Sequence, residues 1–124
     1  MPLTAVRPGF DPAPMRLYTM DAWVHDASAL VDHEALRTLL HAAATAGGAH
    51  VVGEAFHVFP NGAVTGALLL AQSHLTIHTW PEHRLLNVDL LSCGPVDADA
   101  VLALIRERLG TERARVSRVT RGAR

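Results

Sequence analysis

"AVTGALLLAQSHLTIHTW", residues 63–80, decides how this chain is read. Two runs rich in Val, Leu, Ile and Thr, "AVTGALLLA" (63–71) and "AQSHLTIHTW" (71–80), meet at a short polar junction. Their β-branched and aromatic content favours a pair of strands over a helix. Upstream, "AHVVGEAFHVF" (49–59) is another strand, turned into the first run by "PNG". Downstream, Pro81 breaks the ladder and "RLLNVDLLSC" (84–93) resumes it. "RLYTMDAWVH" (16–25) reads as a first strand and "ARVSRVT" (114–120) as a weaker last one.

Two helical patterns complete the order. In "DHEALRTLLHAAATAGG" (32–48), Asp32 caps the N-terminus, Ala35, Leu36, Leu39, Leu40 and Ala43 form the apolar stripe, and Gly47 with Gly48 ends it. "VDADAVLALIRERLG" (96–110) is capped by Asp97 and closed by Gly110. The prediction is an α+β fold: a two-layer α/β sandwich, an antiparallel sheet with both helices packed on one face. A loose, proline-bearing segment, 1–15, precedes a single domain, 16–124, and no repeat or linker is visible.

Composition narrows the function. With 124 residues, 49% of them hydrophobic and 19% charged, the chain can bury one core and is too apolar for disorder. A formal charge of −1 and a pI near 6.7 give no basic surface for nucleic acid. No strictly apolar run is long enough to span a bilayer, and no membrane partner is expected. One cysteine, Cys93, excludes an internal disulfide and suits a reducing, cytoplasmic setting.

The chain has no lysine, so pyridoxal phosphate cannot be held as a Schiff base, and any amino acid decarboxylation needs another carbonyl. A metal site is not expected. His74 and His78 are four residues apart, but on an extended strand that separates the rings by roughly 13 Å, too far to share one ion. A hydrolytic triad on Ser73 is disfavoured because "AQSHL" lacks the glycines of a nucleophile elbow. Singly, a junction serine, a strand histidine and a small buried cysteine are ordinary structural residues.

Together, in the order "GALLLAQSHLTIHTWPEHRLLNVDLLSCG" (66–94), they resemble the bacterial and archaeal S-adenosylmethionine decarboxylases. "SHLTIHTWPE" followed by "CG" is the specific signature, and the similar layout extends over roughly 16–121. The resemblance implies a pyruvoyl cofactor made from Ser73. The Ser73 hydroxyl attacks the carbonyl of Gln72, the amide becomes an ester, and β-elimination leaves a β chain, 1–72, and a pyruvoyl-capped α chain, 73–124. It further implies that His78 removes the α-hydrogen, that Thr65 stands where a serine usually assists processing, and that Cys93 reprotonates the product carbanion. Phe59 matches an aromatic that stacks on adenine, and Glu82 a carboxylate that accepts from the ribose hydroxyls.

The substrate so implied is a small molecule, S-adenosylmethionine, which bonds through its amine to the pyruvoyl carbonyl and is decarboxylated for spermidine synthesis; the assembly implied is a homodimer. Two features depart from the family pattern: Gln72 replaces the usual glutamate, and "MRLYTM" stands in place of an N-terminal G-x-H. Ornithine or arginine therefore remains an alternative substrate, its distal cation meeting Glu82, Asp89 or Glu54. An unprocessed binding or regulatory protein is the non-enzyme alternative.

Overall fold

The hairpin expected at residues 63–80 lies inside the sheet of the structure, a computed structural model that describes residues 15–122. In chain order its main elements are β1 (Met15–Val24), α1 (His33–Ala46), β2 (Val51–Val58), β3 (Val64–Leu70), β4 (Ser73–Trp80), β5 (Leu85–Ser92), α2 (Ala98–Leu109) and β6 (Thr111–Arg121). The strands form one antiparallel sheet in the order β2-β3-β4-β5-β1-β6. From β2 to β5, neighbours in sequence are neighbours in space. β1 is instead inserted between β5 and β6.

Alternation along the strands produces the two faces. Met20, Ala22 and Val24 of β1, Leu68 and Leu70 of β3, Leu75 and Ile77 of β4, and Leu86, Val88 and Leu90 of β5 are all buried. They meet Leu36, Leu39, Leu40, Ala43 and Ala44 of α1 and Val101, Leu102 and Ile105 of α2 in one core. Each of the larger ones, Leu, Ile, Val or Met, contributes about 1.5–3 kcal/mol on leaving water. Among the described residues no helix packs on the other face of the sheet. Residues such as Asp21, His74, Thr76, His78, Trp80, Asn87 and Asp89 lie on it, half-buried or exposed.

The helix caps are as the sequence predicts. Asp32 accepts from the amide of Ala35 and Asp97 from that of Ala100, each at 3.1 Å. Gly110 closes α2 with φ 63°, the left-handed conformation that glycine adopts without strain. Three details differ. Within the expected loose segment 1–15, Met15 already belongs to β1, and the rest lies outside the described residues. Ala35 is exposed and Ala44 is buried, because the stripe follows Leu36, Leu40 and the residue one turn on. β6 runs from Thr111 to Arg121, longer than 114–120, because its backbone pairs with all of β1 although its side chains show little apolar alternation.

Buried Thr79 fixes the end of the hairpin remote from its turn. Its hydroxyl donates to the carbonyl of Leu30 and accepts from the amide of Val64, both at 2.8 Å. A buried hydroxyl satisfied on both sides adds rigidity where an unpaired one would cost stability.

Candidate active site

At the turn end of the β3–β4 hairpin, Leu70 pairs with Ser73, leaving Ala71 and Gln72 as a two-residue loop. The amide of Ala71 donates to the carbonyl of His50 at 2.9 Å, which ties the loop to the start of β2. Beside it the Sγ of Cys93 donates to the carbonyl oxygen of Gln72 at 3.5 Å. The Oγ of Ser73 is buried and has no hydrogen-bond partner among the described residues. A small cavity of about 120 Å³, lined by His50, Gln72, Ser73, Cys93 and Pro95 among others, opens here.

The chemistry of this cluster follows from its contacts. An unpaired buried hydroxyl is costly in a fold, and here it stands next to a carbonyl that already carries a thiol donor. The donor polarises the carbonyl toward attack and offers a hydrogen bond to the oxyanion that attack creates. Burial pushes the Cys93 thiol up from its ordinary value, so at neutral pH it is a proton donor and not a thiolate.

The opposite end of the same hairpin holds a second cluster. A cleft of about 460 Å³ is lined by Phe59, Asn61, Thr65, His78, Trp80 and Glu82 among others. Oγ1 of Thr65 and Nδ1 of His78 lie 3.1 Å apart, a bond that orients the ring and leaves Nε2 free. Phe59 sits edge-on to His57, ring centroids 4.6 Å apart, and is 44% exposed, so its ring is open to a ligand. Glu82 lies in the short 3-10 turn Pro81–His83, closed by Arg84 in the left-handed conformation at φ 51°. A non-glycine residue there is strained and marks a tightly specified turn.

The structure therefore sorts the sequence-predicted residues into two groups. Gln72, Ser73 and Cys93 are together; Phe59, Thr65, His78 and Glu82 are together. Within one chain the groups do not meet. Ser73 and His78 are five residues apart on β4, about 16 Å of extended backbone, and an odd separation places them on opposite faces. The role of His78 on Ser73 of its own chain thus does not fit this geometry.

Two further points emerge. Trp80, part of the quoted signature but given no role from sequence, lines the cleft with Phe59; an aromatic next to a turn proline was the available signal. Glu54, considered for a distal cation, is engaged on the helix side of the sheet. It accepts from Arg37 at 2.6 and 2.9 Å and lies 2.8 Å from Nε2 of His41, and these partners hold its carboxyl down to about 2.

Comparison with known proteins gives one answer. A family model described as S-adenosylmethionine decarboxylase matches residues 16–122. An S-adenosylmethionine decarboxylase proenzyme of a Geobacillus species is 34% identical over 104 residues, covering 84% of each chain. Another, from Pseudomonas paraeruginosa, is 40% identical over 81 residues, 64% of this chain and 51% of that one. The crystal structure of the adenosylmethionine decarboxylase from Aquifex aeolicus superposes with a TM-score of 0.82 at 31% identity, covering 89% of this chain and 92% of that one.

Proposed function

The chain belongs to the S-adenosylmethionine decarboxylase family, and we propose that it is made as a proenzyme that cuts itself between Gln72 and Ser73 and works as a homodimer. As a member of that family it is a carboxy-lyase acting on S-adenosylmethionine. The observation that carries the self-cleavage is the buried, unpartnered Ser73 hydroxyl beside a carbonyl held by Cys93.

Ser73 Oγ attacks the Gln72 carbonyl carbon, the C–N bond breaks, and the amide becomes an ester with a free amine at Ser73. A base removes the Ser73 α-hydrogen, the Cβ–O bond breaks, and Gln72 leaves as a carboxylate. The dehydroalanine left behind takes up water and loses ammonia to become a pyruvoyl group. This pyruvoyl group supplies the carbonyl that draws electrons from the substrate as carbon dioxide departs. The residues present fit it: the cavity at Ser73 is small and lies against Cys93, whose protonated thiol returns a proton to the substrate carbon.

The dimer answers the separation within one chain. His78 and Thr65 act on Ser73 of a second copy, the turn end of one hairpin meeting the cleft end of the other. Phe59 then stacks on the adenine and Glu82 accepts from the ribose hydroxyls beside the partner's pyruvoyl group. A working thiol at Cys93 requires a reducing compartment, which supports a cytoplasmic setting. Among the described residues no helix is long and apolar enough to cross a membrane.

Denaturing electrophoresis with intact mass tests the reading. The purified protein should yield fragments of 72 and 52 residues, 124 less 72 being 52, the smaller one blocked at its N-terminus. The cleaved protein should release carbon dioxide from carboxyl-labelled S-adenosylmethionine. A single uncleaved chain after long incubation would overturn self-cleavage and the mechanism built on it.

A further inference from the structure

A run of hydrogen bonds crosses three strands on the helix-free face. The indole N–H of Trp80 on β4 donates to Oδ1 of Asn87 on β5 at 2.6 Å, and Nδ2 of Asn87 donates to Oδ1 of Asp21 on β1 at 2.8 Å. The direction of this run is fixed by its ends. An indole N–H can only donate and a carboxylate can only accept, so the amide between them has one orientation that satisfies both. Few side chains serve there: the middle position needs an acceptor and a donor on one short, planar group.

Trp80 is 46% exposed, yet its one polar atom is tied down. A large ring on a surface ordinarily samples several rotamers; this one is anchored at its edge while it lines the cleft beside Phe59, His78 and Glu82. The register sets Asn87 directly opposite both Asp21 and His78, so the anchor rests on paired strands and not on a loop.

We propose that Asn87 and Asp21 are positioning residues for substrate: through the indole N–H they hold the Trp80 ring as an aromatic wall of the cleft, set in advance for the flat adenine. This rests on the proposed function, since it names what the same cleft does with its ligand. Neither residue touches substrate. Both act through Trp80, and their loss shows in KM before kcat, because an untethered ring weakens binding without altering the reacting groups.

The test uses fully cleaved protein and four variants. Asn87→Leu and Trp80→Phe should each raise KM for S-adenosylmethionine about tenfold, with kcat changed less than about threefold. Combining them should add nothing further, since one interaction is removed either way. Asp21→Leu should raise KM in the same direction, and Asp21→Asn, which keeps an oxygen to accept from Asn87, should restore it. With Trp23 replaced by Phe, Trp80 is the remaining tryptophan, and adenosine as probe should quench its emission less in the Asn87→Leu protein. Multiplied effects in the double variant, or an unchanged KM in Trp80→Phe, overturn the inference even if Asn87→Leu folds poorly. A wild-type protein that cleaves itself but releases no carbon dioxide is a failure of the proposed substrate instead, and adenosine quenching still tests the ring.

Discussion

The two ends of the β3–β4 hairpin are built for opposite tasks. At the turn, two loop residues, a buried hydroxyl and a raised thiol pack into about 120 Å³. At the other end, two half-exposed aromatics, an oriented histidine and a carboxylate surround about 460 Å³. The turn end carries a hydroxyl, a carbonyl and a thiol in contact but is too small to enclose a nucleoside. The other end can enclose one but has no electrophile. Rigid antiparallel pairing keeps them apart within one chain, which is why a second copy is part of the proposed mechanism.

The sharpest way to break this comparison is complementation. Ser73→Ala and His78→Ala proteins should each stay uncleaved alone, the second stalling at an ester that hydroxylamine cuts. Mixed and allowed to exchange subunits, the His78→Ala chains should be cleaved, because they keep Ser73 and borrow His78 from the other variant. Absence of cleavage in mixtures shown by mass to contain the heterodimer would remove the cross-chain assignment.

The next largest effect belongs to Cys93. Replacement by alanine should slow but not abolish self-cleavage and lower turnover by about 10²-fold or more, as for other general acids. The sign of the pH dependence follows from burial. A donor must be protonated, and a thiol raised above its ordinary value of 9.0 keeps its proton to higher pH, so turnover in wild type should persist through that value and fall only above it. Loss of turnover at or below neutral pH that tracks thiolate formation would contradict this.

Replacing Phe59 by alanine sharpens the comparison from the other end. Self-cleavage should be intact, and KM should rise by an amount equivalent to about 1–3 kcal/mol of lost stacking. Equal loss in cleavage and binding would mean the two ends are not separable. The smallest effect lies outside both. Glu54→Gln should lower the melting temperature slightly at neutral pH, since the ionised carboxylate is bound by Arg37 and His41. A depressed carboxyl contributes stability above its unfolded value and loses it as pH falls. The difference between the two proteins should therefore shrink below about 4.5 and vanish below about 2.

Much of this was legible in the sequence, for local reasons. The hairpin, both aspartate caps and the glycine stop of α2 are written in short-range chemistry, and the folded chain keeps them. The insertion of β1 between β5 and β6 depends on pairings across most of the chain, which no local pattern encodes. The separation of Ser73 from His78 was available from the same strand arithmetic that separates His74 from His78. The role of Trp80 was not, because it needs Asn87 and Asp21, brought together only by register.

The strand order has one more consequence. A cut at Gln72 assigns β1, β2 and β3 to one product and β4, β5 and β6 to the other, so β1 of the first lies between β5 and β6 of the second. Among the described residues, three of the five ladders, β3–β4, β5–β1 and β1–β6, would then run between the products. The products of the proposed cut would be interleaved like the fingers of two hands, and severing that one bond would give neither piece a way to leave.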